Sequence, residues 1–323
     1  MGLSEGRDPA EVVPSGDPDG RIALGGRLID EGRLAEAEAV LRQAVELAPR
    51  RAEAHRLLAV SLDYQGKYAA AETAVRRAVE LDPASARNRT SLGVIFERQG
   101  RDAEAEAAYR MAADLDPGLA RAHLNLGILL DRVGRPAESE AALRRAAELD
   151  PRSSETLLRL GVVLDNLGRT AESEGQLRRA LRFDPRSAAI RNSLGVVLQR
   201  LGRHSEAEAA FRGAAEVDPT FVTAFENRGL VLARLGRHSE AEAALRQAAE
   251  LDASAWRPHY GLAVALASRG VRGRRRRART RPRARPRRTG SGRGRTPRRS
   301  NAVSLPRGPG AEVRDGRERR GPA

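Results

Sequence analysis

Proline returns every 34 residues: Pro49, Pro83, Pro117, Pro151, Pro185 and Pro219 form one series, and Ala253 takes the next place. Five of these prolines follow Asp. A glycine series has the same spacing, Gly32, Gly66, Gly100, Gly134, Gly168, Gly202, Gly236 and Gly270, and the first seven are each followed by Arg or Lys. A glycine behind an amphipathic run can take the left-handed conformation that closes a helix, and a basic residue suits that helix end. Proline stops one helix and presets the backbone for the next. Each period therefore holds two helices, A and B, separated by a glycine turn and followed by a proline turn. Such a unit cannot bury its apolar face alone and must stack on its neighbours.

Side-chain size repeats in the same register. Helix A carries Gly25, Ala59, Gly93, Gly127, Gly161, Gly195, Gly229 and Ala263, preceded by Leu24, Leu58, Leu92, Leu126, Leu160, Leu194, Arg228 and Leu262. Helix B carries Ala44, Ala78, Ala112, Ala146, Ala180, Ala214 and Ala248, with Leu41, Val75, Tyr109, Leu143, Leu177, Phe211 and Leu245 three residues earlier. Small residues let helix backbones approach, and large ones fill the space beside them.

A 34-residue helix–turn–helix with these landmarks resembles the tetratricopeptide repeat family. The resemblance spans about residues 18–270: seven full repeats beginning at residues 18, 52, 86, 120, 154, 188 and 222, then a half repeat. It implies an all-α, right-handed superhelical solenoid of antiparallel helix pairs. Two departures stand out. The family's usual Trp near the start of helix A is replaced by His, Arg, Leu or Phe, and Arg228 stands where the pattern expects Leu.

Charge divides the chain. Residues 271–323 hold 20 Arg and 3 acidic residues, a net of +17, which leaves 38 basic and 40 acidic residues in 1–270, a net of −2. The expected organisation is a disordered leader over 1–17, the solenoid over 18–270 and a disordered Arg-rich tail over 271–323. With no cysteine, disulfides, thiolate metal sites and thiol nucleophiles are excluded. No stretch matches a membrane span, and the first 17 residues lack the apolar core of a secretory signal, so a cytoplasmic protein is expected.

Little else points to chemistry. His55, His123 and His259 share one position of helix A, while His204 and His238 share the start of helix B. Equivalent residues of stacked repeats lie roughly one helix diameter, ~10 Å, apart, too far for a common zinc ligand set with bonds of ~2.0–2.1 Å. Carboxylate pairs such as Glu36/Glu38 and Glu206/Glu208 read as a solvated face of helix B. There is no phosphate-cradling loop or nucleophile elbow. The chain is expected to be non-catalytic, with no cofactor, metal or small-molecule substrate.

The family resemblance further implies that helices A line a concave wall along which a partner protein or peptide lies. Repeat register places an aliphatic series there, Val60, Val94, Ile128, Val162, Val196 and Leu230. Beside it run Asp63, Glu97, Asp131 and Asp165, then Arg98, Arg132, Arg200 and Arg234. Asn125 and Asn227 match a position where some family members grip peptide backbone, with Arg159 and Ser193 between them. The expected ligand carries both charged and apolar residues; the competing reading is that the Asp and Arg side chains pair with each other. The family's clamp for a chaperone C-terminus needs a Lys/Asn/Arg set that a chain with Lys67 as its only lysine matches poorly.

Two readings of the tail stay open. Arg274, Arg275, Arg276, Arg277, Arg279 and Arg281 open a polyanion-binding arm, the sole route by which nucleic acid would be a partner. Alternatively the tail is an out-of-frame translation that replaces the missing helix B, and the repeats are the front of a longer protein, such as an enzyme.

Overall fold

The computed structural model of the chain describes residues 16–252. Within them lie fourteen α-helices and no strand. The A helices are α1 (Pro18–Asp30), α3 (Ala52–Tyr64), α5 (Ala86–Arg98), α7 (Ala120–Arg132), α9 (Ser154–Asn166), α11 (Ala188–Arg200) and α13 (Val222–Arg234). The B helices are α2 (Leu34–Leu47), α4 (Tyr68–Leu81), α6 (Asp102–Leu115), α8 (Pro136–Leu149), α10 (Thr170–Phe183), α12 (His204–Val217) and α14 (His238–Leu251). Of the expected leader only Gly16 and Asp17 are described, and Asp17 caps α1 through Asp19 N–H. The expected half repeat beyond residue 252 and the tail lie outside the described residues.

The two punctuation marks behave as their chemistry dictates. Gly32, Gly66, Gly100, Gly134, Gly168, Gly202 and Gly236 all hold φ between 74° and 80°, the left-handed value that ends helix A. At the other turn, helix B stops two residues before each proline. The intervening residue, Asp82 for example with φ −137° and ψ 85°, is extended, as the proline ring behind it requires. Ser85, Ser153 and Ser187 then cap the next helix A through the N–H three residues on.

A knob-and-hole layer joins the helices of each hairpin. A Cβ added to Gly93 would stand 2.5 Å from the Tyr109 ring, and in α3, where Ala59 replaces the glycine, the facing residue shrinks to Val75. Tyr109, Phe211, Leu143 and Leu177 are fully buried in this layer. Each A helix also approaches the A helix of the next hairpin, whereas the B helices make no comparable approach to one another. The stack is an all-α solenoid with helices A on the crowded inner side and helices B spread along the outer one.

The outer side departs from a solvated face. Glu38, Glu72, Glu106, Glu140, Glu174, Glu208 and Glu242 are one register series, and Glu208 and Glu242 are only 4% and 8% exposed. Each of the first six bridges to the basic residue behind the next glycine. Arg135, for instance, lies 2.8 Å from Glu106 and 2.7 Å from Glu138 of its own hairpin, and Arg110 touches the same two carboxylates at 2.9 and 3.0 Å. Long side chains thus span the gap between splayed B helices, which is why the expectation of a solvated face fails for this series. Arg228 finds its place here too: it gives up the leucine packing and bonds Glu208 at 3.2 Å.

Candidate functional site

The inner face is built by helices A. It holds a cavity of about 900 Å³ over α3, α5 and α7, reached at one edge by Arg159 of α9. Half-buried Val60, Val94 and Ile128 form an aliphatic strip along it, one residue from each helix. Among the expected groove residues, Asp63, Val94, Glu97, Arg98, Asn125, Ile128 and Arg132 come together at this cavity. Asp131, on α7 itself, does not line it, and Val162, Asp165, Val196, Arg200, Asn227 and Arg234 lie on the A helices beyond.

Pairing between neighbouring A helices decides which polar groups are spoken for. Arg200 Nη1 lies 2.9 Å from Asp165 Oδ2, and Arg132 lies 3.2 Å from Glu97 and 2.9 Å from Asp102. Asn227 donates to Asn192 Oδ1 at 3.0 Å, whereas the Asn125 side chain makes no hydrogen bond among the described residues. Arg98 stands 3.8 Å from Asp63, too far for a hydrogen bond. The Asp63 side chain is 6% exposed, and its Oδ1 atom is buried without a partner. Burial pushes its carboxyl above the ordinary aspartate value, with Arg98 opposing the shift. The Tyr109 hydroxyl donates to Glu97 at 2.9 Å, and burial, then the Glu97 charge, raises its pKa far above the ordinary phenol value. Glu97 is therefore held from two sides, while Asp131 and Arg234 have no ionic partner among the described residues.

The sequence series did not include Arg56, Arg87 and Arg121, or Tyr64 and Tyr68, all of which line the cavity, and Arg159, which register placed between Asn125 and Asn227, lines it too. Arg87 and Arg121 share a register position at the start of adjacent A helices. Following that position along the repeats would have found them. Two of the histidines take structural work: His55 Nε2 and His123 Nε2 lie 2.9 and 3.2 Å from the carbonyls of Pro49 and Pro117. Arg191 reaches the carbonyl of Pro185 at 2.7 Å in the same register. These residues stand where the family's usual Trp would be and clamp the inter-repeat turn instead.

Among the described residues no cluster of three His, Asp or Glu side chains could hold a metal ion, and no helix is long and apolar enough to cross a membrane. The six tail arginines from Arg274 to Arg281 lie outside the described residues.

Comparison with known proteins agrees with this architecture. The Tetratricopeptide repeat family matches over residues 22–63, 57–120, 124–188, 158–220, 192–255 and 226–270, more than half of the chain. No curated protein matches the sequence. Among solved structures, the APC/C hetero-tetramer Cut9-Hcn1 is similar at 18% identity with a TM-score of 0.66, over 77% of this chain and 49% of that one. The chain thus spans about half the length of that relative. PilF of Pseudomonas aeruginosa is similar at 20% identity and TM-score 0.60, over 66% of this chain and 97% of that one. YrrB, described as a TPR protein with an unusual peptide-binding site, is similar at 22% identity and TM-score 0.50, over 58% of this chain and 97% of that one. At these identities the likeness is one of fold.

Proposed function

The chain belongs to the tetratricopeptide repeat family, and from that premise we propose that it is a non-catalytic scaffold holding an extended segment of a partner protein along its inner face. Solenoids of this kind present long concave surfaces, and what they bind is set by the side chains that line them. The observation that carries the reading is the cavity of about 900 Å³ on α3, α5 and α7, where an aliphatic strip runs between polar groups. An apolar floor with a few convergent polar groups is the usual make-up of a binding cleft. The Asn125 side chain, without a hydrogen-bond partner among the described residues, is available to a peptide backbone.

The test is a selection of displayed peptides on the full chain, followed by two sets of substitutions. Peptides that use the groove should lose binding on Val94→Glu with Ile128→Glu and keep it on Arg144→Ala, which lies on α8. Selected peptides that ignore the first pair would overturn the reading.

A further inference from the structure

Arginine is used in two ways in this molecule. Behind the glycine turns, Arg33, Arg101, Arg135, Arg169, Arg203 and Arg237 each form ion pairs with two carboxylates. Around the cavity the pattern reverses. Arg87 and Arg159 have no carboxylate within bridging distance among the described residues, and Arg121 reaches only Glu155, at 3.4 Å, with both side chains at least half exposed. Of the six arginines that line the cavity, Arg56 bridges Glu53, Arg98 faces Asp63 and Arg132 bridges Glu97 and Asp102, which leaves Arg87, Arg121 and Arg159 without a close, buried carboxylate partner. An unneutralised guanidinium excess inside a concave, partly apolar wall focuses a positive potential. Each guanidinium offers a planar fork that suits carboxylate oxygens.

Resting on the groove reading above, we infer that the stretch from α3 to α9 selects an acidic peptide segment, with carboxylates placed on either side of an apolar residue. Arg87 and Arg121 occupy the same position of consecutive repeats. They are spaced by roughly one helix diameter, ~10 Å, which a peptide in the polyproline II conformation covers in about three residues at ~3.1 Å each, with every third side chain on the same side. Acidic residues three apart would therefore meet Arg87 and Arg121, an apolar side chain between them would sit on Val94 and Ile128, and a further carboxylate would reach Arg159.

The experiment uses the full chain, so that the tail arginines are present in every sample. A labelled peptide with glutamates at every third position around a central leucine is compared with its glutamine counterpart and with a single-stranded oligonucleotide of equal charge. Each probe carries a photo-cross-linker. The acidic peptide should bind, cross-link to α5 or α7, and bind about tenfold or more weakly to R87Q/R121Q/R159Q. It should bind unchanged to Arg144→Gln. If the glutamine peptide binds as well as the acidic one and both are lost in V94A/I128A, the groove stands and the acidic selectivity falls. If the peptides cross-link only outside α3–α9, both readings fall. If the oligonucleotide and not the peptide cross-links to α5 or α7, the occupant is a nucleic acid and the proposal is wrong.

Discussion

The outer and inner faces of the solenoid are made from the same residue types and have opposite accounts of charge. On the outer face, helices B stand apart, and Arg and Glu reach across the gap, so each carboxylate of the Glu38 to Glu174 series meets cations from two hairpins, and Glu208 meets two cations of the next hairpin. On the inner face, helices A crowd together, Arg200–Asp165 and Asn227–Asn192 join neighbours, and Arg87 and Arg159 have no carboxylate within bridging distance among the described residues. Charge outside is consumed in holding repeats in line. Charge inside is consumed only in part, by pairs such as Arg200–Asp165 and Arg132–Glu97.

Both faces rest on the layer between them, so the sharpest way to break the comparison is to damage that layer. Phe211, fully buried against Gly195, should cost about 3–5 kcal/mol when cut to Ala, because the cavity left behind adds to the lost transfer energy. Urea unfolding should show the loss, and a labelled groove peptide should weaken only in the denaturant range where the stack itself opens. An unchanged midpoint would mean that the hairpins do not depend on this knob. A smaller effect is expected from Gly93→Ala, whose new methyl would lie 2.5 Å from the Tyr109 ring. Overpacking of this kind costs about 1–3 kcal/mol. Here the faces should separate: Tyr109 also lines the cavity and holds Glu97, so peptide binding should weaken along with stability. A drop in stability with no change in binding would detach the Tyr109–Glu97 pair from the site.

The fold was legible because its punctuation is local. A glycine at φ near +75° and a proline after an extended residue are decided by the residue itself and its neighbour, and both return every 34 residues. The alternation of Gly or Ala with a large partner was equally plain, down to the Ala59–Val75 exception. The site was legible only in part. Val94, Glu97, Asn125 and Ile128 could be placed on the inner wall from register, but whether a given charge is free depends on the next hairpin. Asn227 is occupied by Asn192, and Asp165 by Arg200, whereas Asp131 faces a register position filled by Asn166 and stays unpaired. Arg87 and Arg121 stand at the start of helix A, ahead of the register positions that carry the aliphatic and Asp/Arg series, so those series do not reach them. Arg228 marks a different limit: the sequence flagged it as a gap in the leucine series, and only the structure supplies Glu208 as its reason.

The smallest predicted effect separates the faces by the sign of their response to acid. Glu38, on the outer face, accepts hydrogen bonds from Lys67 and Arg42, which hold its pKa down to about 2 from an ordinary 4.5. A carboxylate with a lowered folded pKa stabilises the fold above its ordinary value and loses that contribution as pH falls through the folded one. Glu38→Gln should therefore cost stability at neutral pH, and the difference from the unsubstituted chain should shrink as pH drops from 4.5 towards 2. Asp63, on the inner face, has the opposite sign. Burial raises its pKa above 3.8, so its favourable contribution is complete below that value and fades as pH rises through the folded pKa. Asp63→Asn should then gain on the unsubstituted chain as pH climbs out of the acid range, while the Arg98 charge limits the gain. Melting temperatures of the two variants across this range give both slopes. Parallel slopes would mean that Asp63 is ionised and satisfied like the outer glutamates, and the distinction between a self-neutralised outer face and an inner face with uncompensated groups would no longer extend to its floor.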